Sequence, residues 1–204
     1  MRHIRFRRPR TANSLRTLKS IILSLAFISG LALPAAAGSI SGTYTLTPAN
    51  IDTGFSVRVL GGRPVQGEFG KVSGKMVLDQ NRPEKSKVNV TIDLSSVKTN
   101  NDKVTGFLKS SAMFDVAKYP VAKFQSTRIR ITGKYSAEVE GVLSLRGKTK
   151  RTKLDVQITG NNGSGRVGFT VSGGFFRSFY GMEAGLPIYA DKVNIKISGT
   201  GRRT

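Results

Sequence analysis

From residue 44 onward, apolar and polar side chains alternate with a period of two over much of the chain. The longest run covers residues 135–145, and clear runs also cover residues 88–94 and 193–197. Because successive side chains of a β-strand point to opposite faces, this period predicts strands with one apolar and one wet face. That pattern is typical of antiparallel sheets. Shorter stretches repeat it at residues 55–59, 76–78, 154–158 and 167–171.

The alternating runs are separated by turn signals rich in glycine, proline and asparagine. After Pro120 the alternation changes phase, since Phe124 is apolar at an even position whereas Ile129 and Ile131 are apolar at odd positions. One extra residue near Ser126 would restore the phase, so we predict a β-bulge there. The turn signals stand at Gly61-Gly62, Gly70, Arg82-Pro83, Gly133-Lys134, Gly147-Lys148 and residues 161–165.

Residues 100–114 lack the strand pattern and predict one short helix. Val104, Phe107 and Leu108 follow one another at helical spacing, and Asp102 stands at a suitable N-terminus. With roughly eight to ten short strands, the chain is then an all-β protein, either a sandwich or an up-and-down barrel. We favour an extended antiparallel up-and-down β-barrel of about eight strands, because closure leaves no exposed strand edge.

Residues 1–37 have the pattern of a cleavable export signal. A basic segment without acidic residues precedes the apolar stretch Ile21–Leu33, and residues 34–37 (Pro-Ala-Ala-Ala) suit a signal peptidase. The apolar stretch has 13 residues, fewer than the roughly 20 that cross a bilayer, so an uncleaved membrane anchor is the less favoured alternative. We therefore expect a periplasmic or secreted bacterial protein in which residues 38–204 form a single domain.

Composition narrows the chemistry of that domain. Residues 38–204 carry 26 Lys and Arg against 12 Asp and Glu, a formal charge of +14. The chain has no cysteine, and its only histidine is His3, inside the expected signal. Such a domain has no disulfide, no thiolate nucleophile, no histidine base and no histidine metal ligand. We therefore expect no enzyme, no cofactor and no metal site, and export argues against a nucleic-acid partner.

Three short patterns resemble catalytic motifs but stand in the wrong setting. Residues 163–168 match G-x-G-x-x-G, whose dinucleotide chemistry needs a following helix, whereas a strand pattern follows here. Residues 147–149 resemble the end of a P-loop but join two strands. Ser95 and Lys98 match S-x-x-K without its partner motifs. We interpret the first two as hairpin turns and the third as a strand end.

We interpret the charged residues near the predicted hairpin at Gly147 as solvent-exposed surface residues rather than as a catalytic site. Glu138 and Glu140 lie on the wet face of a strand, so we expect a solvated pair rather than a glycosidase pair. The basic residues of this region either solubilise the turn, which we favour, or attract phosphate or lipid head groups. They lack the interleaved aromatic residues that stack on bases. The cluster consists of Arg146, Lys148, Lys150, Arg151 and Lys153.

Residues 110–126 are the most distinctive segment of the chain. A polar turn leads through Phe114-Asp115 and Tyr119-Pro120 to a strand-like stretch that begins at Phe124. With this segment and others in the same order, the chain resembles the YceI-like family of bacterial polyisoprenoid-binding proteins from about Gly42 to Gly199. The other matching segments are residues 44–48, 55–57, 66–74, 90–99, 141–150, 168–169, 177–181 and 193–197.

The resemblance implies a lipocalin-like barrel with an elongated internal cavity that holds a polyisoprenoid or another long amphiphile, in a binding protein without catalysis. The chain departs from the family at some polar positions. Where relatives usually carry a histidine after the first strand, this chain has Asn50, and the helix reads Lys103-Val-Thr-Gly-Phe-Leu108 where relatives carry Arg-Asp and His-Leu pairs. The head-group specificity of relatives therefore does not transfer directly.

An apolar sleeve inside the barrel is the expected binding site for a polyisoprenoid, an isoprenoid quinone or a fatty-acid-like lipid. Each buried CH₂ group contributes about 0.8 kcal/mol, so one five-carbon unit contributes roughly 3–4 kcal/mol before ordering costs. The expected lining consists of Phe55, Val57, Phe69, Met76, Val90, Ile92, Phe107, Leu108, Phe114, Phe124, Leu143, Leu145, Val156 and Phe169.

Other interpretations stay open at this point. The same side chains could fill the barrel of a structural or stress-related envelope protein, as in many small barrels. The chain could also be an accessory protein of isoprenoid-quinone metabolism or electron transfer. The positive charge favours anionic lipid heads or an anionic membrane surface at the barrel mouth. The sequence does not decide between a monomer and a homodimer.

Overall fold

A computed structural model describes residues 39–161 and 165–204. The expected export signal (residues 1–37) and the turn residues Gly163 and Ser164 lie outside the described residues. The described helix is α1 (Asp102–Lys109). The strands are β1 (Gly42–Leu46), β2 (Ile51–Val59), β3 (Val65–Phe69), β4 (Val72–Leu78), β5 (Lys87–Asp93), β6 (Val97–Thr99), β7 (Val121–Gly133), β8 (Ser136–Leu145), β9 (Lys148–Asn161), β10 (Arg166–Phe176) and β11 (Tyr189–Arg203).

These segments make eight barrel strands, because three barrel strands are each interrupted once. The first barrel strand consists of β1 and β2, which both pair with β11. The second consists of β3, which pairs with β2, and β4, which pairs with β1. The third consists of β5, which pairs with β4, and β6, which pairs with β3. Each barrel strand pairs antiparallel with the next in sequence, and β11 returns to β1. The fold is a closed eight-stranded antiparallel barrel with one helix, which confirms the predicted barrel and excludes the sandwich.

The junction between β1 and β11 is short and is reinforced by side chains. Tyr44 lies opposite Arg203 and is fully buried. Its hydroxyl donates to the carbonyl oxygen of Ile40 at 2.9 Å and accepts from Nη2 of Arg203 at 3.0 Å. The guanidinium also lies 5.5 Å from the centre of the Tyr44 ring, within reach of a cation–π contact. This tyrosine–arginine contact therefore reinforces the short β1–β11 end of a seam that β2 and β11 continue by backbone pairing.

The predicted bulge is present in β7. The register between β7 and β8 shifts between Ser126 and Arg128. Phe124 before the shift and Ile129 after it are both buried on the inner side of the barrel. The extra residue thus keeps apolar side chains inward on both sides of the shift, as the change of phase indicated.

The predicted helix is shorter than residues 100–114. Asn101 caps it, because its side-chain oxygen accepts from the backbone N–H of Val104 at 3.1 Å. α1 ends at Lys109, and residues 110–120 form the predicted corner. Asp115 has a φ of 53°, in the left-handed region that aspartate tolerates better than most residues.

The barrel wall has a gap between β6 and β7. β7 pairs with β5 as far as Val121 opposite Asp93, whereas β6 pairs with β3. α1 packs against β6, and the buried side chains of Leu108 and Met113 fill the opening. At this point the wall is completed by side-chain packing rather than by strand pairing.

No helix in the described ranges is long and apolar enough to cross a bilayer.

Candidate ligand-binding cavity

A cavity of about 380 Å³ lies inside the barrel. This volume falls within the roughly 300–1,000 Å³ typical of small-molecule sites. Its wall is almost entirely apolar and draws on every strand of the barrel except β6. Val90, Val156 and Val171 face the lumen but are only partly buried. The inward side chains therefore line a hollow sleeve and do not fill it.

The structure places all the predicted lining residues at the cavity except Phe107. The prediction for Phe107 was wrong. This side chain is 47% exposed on α1, whereas the adjacent Leu108 is 8% exposed and takes the inward position. Adjacent residues of a helix project about 100° apart, and α1 is oriented so that Leu108 points to the cavity while Phe107 points to solvent. Whether the remaining residues contact a ligand stays a prediction.

Two phenylalanine rings lie flat against the wall because glycine stands beside each on the next strand. Phe55 pairs across strands with Gly67, and Phe169 pairs with Gly199. A Cβ atom on Gly67 would stand 2.5 Å from the Phe55 ring, and one on Gly199 would stand 3.0 Å from the Phe169 ring. The missing side chains let the rings rest on the sheet, which leaves the middle of the barrel open.

The two ends of the cavity differ in exposure. We call residues 79–86 and 131–136 the mouth, because lining residues there are also exposed to solvent. Ile131 and Tyr135, for example, line the cavity and are each 53% exposed. We call α1, residues 110–120 and residues 177–188 the cap. The cap residues that line the cavity, which are Leu108, Met113, Phe114, Arg177 and Met182, are all buried.

Polar groups line the mouth and stand in a defined arrangement. Asp79 accepts from the backbone N–H and from Nε of Arg82, at 2.9 and 3.2 Å. These contacts, led by the backbone hydrogen bond from Arg82, lower the pKa of Asp79 below its usual value. Gln80 uses Oε1 to accept from the backbone N–H of Ile40 at 3.0 Å, which leaves its amide NH₂ group to donate.

Lys134 is the exposed cation of the mouth lining. Its Nζ lies 5.1 Å from the centre of the Tyr135 ring. Within residues 39–161 and 165–204, no carboxylate lies within 4 Å of it. The mouth thus presents an ammonium group and an amide donor, whereas its acidic residue is already bound to Arg82. This set of groups suits an anionic or hydrogen-bond-accepting head group.

A buried arginine holds the cap in place. Arg177 is 2% exposed, and its guanidinium donates only to backbone carbonyls. Nε donates to Ala190 at 3.1 Å, Nη1 to Met182 at 2.6 Å and Ala184 at 2.9 Å, and Nη2 to Tyr189 at 2.9 Å. Burial lowers the pKa of Arg177 below its usual value, but arginine remains charged at physiological pH. One side chain thus fixes the path of residues 182–190.

Tyr180 and Asp191 complete the cap. Tyr180 is 1% exposed, meets the Phe175 ring edge-on at 5.5 Å, and donates its hydroxyl to the Leu143 carbonyl at 3.3 Å. Burial raises the pKa of Tyr180 to about 12. Asp191 accepts from the backbone N–H and the hydroxyl of Ser178 at 2.8 and 2.7 Å. These polar groups of the cap are therefore satisfied by other groups of the protein, and the cavity wall at this end is largely apolar.

Ser95 and Glu138, which resemble parts of catalytic sites in the sequence, have structural partners in the fold. The Ser95 hydroxyl donates to Asp93 at 2.5 Å in a single turn of 3-10 helix, and Glu138 pairs with Arg130 at 2.7 Å on β8. Among the described residues, no group of three or more histidine, cysteine, aspartate or glutamate side chains could hold a metal ion.

The basic cluster near Gly147 does not act as one surface. Arg146 donates to the carbonyl oxygens of Gly181 and Ser111 and so ties the β8–β9 turn to the cap. Lys153 pairs with Glu140 at 3.2 Å on the outer wall. The functions of these residues thus differ from one to the next, although they are close in sequence.

Several lining residues were not among those predicted from the sequence. Leu94, Met113 and Met182 lie in turns or in the cap, where no period of two marks an inward face. The alternation does mark Val171, Ile195 and Ile197, which face the lumen from β10 and β11. Lys134 stands in the predicted turn Gly133-Lys134, Gln80 shortly precedes the predicted turn Arg82-Pro83, and the fold brings both to the cavity.

Comparisons with known proteins agree with this architecture. The model of the YceI-like domain matches residues 44–200. A UPF0312 protein of Pectobacterium carotovorum is 30% identical over 190 residues, which cover 91% of this chain and 98% of that protein. A UPF0312 protein of Pseudomonas syringae pv. tomato is 34% identical over 160 residues, covering 74% and 81%.

Solved structures share the barrel. BcnA of Burkholderia cenocepacia superposes with a TM-score of 0.70 at 24% identity, over 75% of this chain and 97% of that chain. A polyisoprenoid-binding domain from Saccharophagus degradans superposes with a TM-score of 0.61 at 18% identity, over 80% and 99%. Since the domain match covers most of the chain, the protein belongs to the YceI-like family.

Proposed function

We propose that this protein is an exported, non-catalytic binding protein that holds the hydrocarbon chain of a polyisoprenoid or a similar long amphiphile inside its barrel. The observation that carries the proposal is the hollow apolar sleeve, which is closed by the cap and open at the mouth. Hydrocarbon gains about 0.8 kcal/mol for each CH₂ group moved from water into such a sleeve. Binding therefore needs no reactive residue.

The sleeve supports an extended, flexible ligand over a compact polar one. Its wall combines Phe55, Phe69 and Phe114 in one tilted aromatic series with centroid spacings of 5.5 and 5.7 Å. Such rings offer broad apolar surfaces without committing a hydrogen bond. The polyisoprenoid-binding domain of Saccharophagus degradans has the same fold, which supports the ligand class. Export is the part of the proposal that rests on the sequence pattern of residues 1–37.

We place the head group at the mouth. A head group at the cap would meet Leu108, Met113 and Met182, and the hydrogen-bonding capacity of Arg177 there is directed to backbone carbonyls. At the mouth, Lys134 and the Gln80 amide can donate to it. An isoprenyl phosphate or another acidic amphiphile therefore fits better than a head group without an acceptor.

The decisive experiment is native mass spectrometry after gentle purification from the producing cell. We expect a bound lipid, or the uptake of added prenols, prenyl phosphates or isoprenoid quinones by the empty protein. A protein that carries no lipid and takes up none of these compounds contradicts the proposal. Uptake of fatty acids alone would shift the ligand class but keep the apolar sleeve as the site.

A matched pair of variants links uptake to the lumen. Val171 faces the cavity from β10, and its neighbour Ser172 is exposed on the outer face. We expect Val171→Phe to fill the sleeve and lower prenol affinity at least about tenfold, since the added ring takes the space of several CH₂ groups. Ser172→Phe adds the same ring outside and should leave affinity unchanged. Equal losses in both variants would show that the ligand binds elsewhere.

A further inference from the structure

Large apolar side chains are exposed together on the outer surface at the cap end of the barrel. Leu60, beside the β2–β3 turn, is 80% exposed, and Ile188 is 55% exposed. The two are neighbours, because the backbone N–H of Leu60 donates to the carbonyl oxygen of Ile188 at 2.9 Å. We call this group the cap patch, and it consists of Leu60, Phe176, Phe179, Leu186, Ile188 and Tyr189.

The cap patch is held together by defined contacts. The rings of Phe176 and Phe179 lie 5.4 Å apart. Arg177, which follows Phe176, binds the carbonyl oxygen of Tyr189 at 2.9 Å and so brings both halves of the patch to the same rim. Monomeric proteins rarely expose large contiguous apolar areas without a binding role. Aliphatic side chains at loop tips together with aromatic rings are typical of surfaces that enter a lipid interface.

Exposed cations surround the cap patch. Arg58 and Arg63 stand on either side of Leu60, and Lys192 lies opposite Phe176 in the β10–β11 pair. Lys150 places its Nζ 6.0 Å from the centre of the Phe179 ring. The acidic residues of this rim are Glu183, which is exposed, and Asp191, which is half-buried and bound to Ser178. Against the four basic residues, they leave the rim with a net positive charge. Each basic group close to an anionic bilayer adds to the attraction between the protein and the bilayer.

We propose that the cap patch docks on the surface of an anionic lipid bilayer, with Leu60 and Ile188 inserted among the head groups. A second copy of the chain fits the patch less well, because a two-fold contact would bring the basic rims of both copies together. Docking at the cap turns the mouth away from the bilayer. The proposal concerns the outer surface and does not depend on which ligand the lumen holds.

The test uses the absence of tryptophan from the chain. Leu60→Trp introduces a single fluorophore into the cap patch of the full chain, and Val77→Trp introduces one at an exposed position on β4, away from the cap. Vesicles contain phosphatidylethanolamine with phosphatidylglycerol, or phosphatidylcholine alone. With the anionic vesicles we expect a blue shift in the emission of the Leu60→Trp variant, which high salt abolishes, and no shift for the Val77→Trp variant. Residues 1–37 are present in both variants and so contribute equally.

A second substitution tests the patch itself. In the Leu60→Trp background, Ile188→Ser should weaken binding to anionic vesicles about tenfold, because one aliphatic side chain no longer leaves water. Val77→Ser in the same background should have no effect. The proposal is overturned if the emission of Leu60→Trp does not shift with anionic vesicles, or if that of Val77→Trp shifts equally. It is also overturned if the protein sediments as a dimer that Ile188→Ser dissociates, while binding to vesicles stays unchanged. Prenol uptake, measured without vesicles, should be the same in all these variants.

Discussion

The cap and the mouth close the same barrel by different means. The cap is fixed by contacts that are distant in sequence, such as that between Arg146 and Ser111, and its polar groups are buried and satisfied. The mouth is built from short turns, in which Asp79 and Arg82 bind each other three residues apart. Its polar groups are exposed and keep hydrogen-bonding capacity. The cap is thus a structural end, because its buried Arg177 binds the protein's own backbone carbonyls. The mouth is the end whose polar groups still have hydrogen-bonding capacity for a ligand.

The largest expected effect comes from removing the charge that holds the cap. Arg177→Gln leaves carbonyls of Met182, Ala184 and Tyr189 without their donor, so we expect a loss of about 3–5 kcal/mol in the free energy of unfolding. Urea unfolding measures this loss, and limited proteolysis should show new cleavage in residues 182–190. Lys192→Gln, an exposed neighbour, is the control and should change stability by less than about 0.5 kcal/mol. A stable, protease-resistant Arg177→Gln protein would show that the cap does not depend on this residue.

The next effect depends on pH. Tyr180 holds its proton in the folded protein up to about pH 12, against 10.0 for an ordinary tyrosine. Between these values the folded state binds more protons than the unfolded state, so stability is complete below pH 10 and falls as pH rises toward 12. We expect the wild type to lose roughly 1 kcal/mol more of its free energy of unfolding than Tyr180→Phe between pH 9 and pH 11. Urea unfolding at a series of pH values measures the difference, and parallel curves for the wild type and Tyr180→Phe would contradict the assignment.

At the mouth we expect a change in affinity without a change in stability. Lys134→Glu should weaken binding of a prenyl phosphate about three- to tenfold, because the ion pair is exposed and screened, and should leave the matching prenol unaffected. Isothermal titration at low and high salt measures both. Lys75→Glu on the outer wall makes the same charge change away from the mouth. If both variants weaken binding equally, net charge rather than Lys134 attracts the head group.

The smallest effect concerns the wall between the two ends. The Thr53 hydroxyl is buried at the cavity wall and has no hydrogen-bond partner among the residues that the structure describes. Thr53→Val should therefore stabilise the protein by about 1 kcal/mol. Thr152 also lines the cavity, but its hydroxyl donates to the Gly174 carbonyl at 3.2 Å. Thr152→Val should therefore destabilise by about 1 kcal/mol. Thermal unfolding that gives the same sign for both substitutions would contradict this difference.

The wall could be predicted from the sequence, whereas the cap could not. A period of two reports directly which face of a strand is buried, so residues such as Val90 and Phe169 were placed correctly, and the change of phase after Phe124 located the bulge. In the cap, Arg177 binds carbonyls whose positions depend on the path of the chain, and no local pattern reports that path. Phe107 was misplaced because a short helix with two adjacent apolar residues does not specify which one faces inward.

The mouth could be predicted from the sequence less well than the wall but better than the cap. Gly133-Lys134 was recognised as a turn, and the up-and-down order places it at the same end of the barrel as residues 79–86. That the Lys134 side chain lines the opening there follows only from the folded structure. A side chain in a turn carries no signal of what lies across the opening from it. Lys134 could therefore be predicted as exposed but not as a residue that lines the mouth of the cavity.

Because of the gap between β6 and β7, the length of the lumen does not depend on the strand pairing that closes the barrel. Residues 100–120 close this opening mainly by packing Leu108, Met113 and Phe114. An outward displacement of α1 would lengthen the interior while every pairing among the eight barrel strands remained intact. Insertions or substitutions in this crossover could thus adapt the protein to longer or shorter chains without redesign of the sheet. The interior length at this point is thus set by a segment whose packing lies outside the strand pairing that closes the barrel.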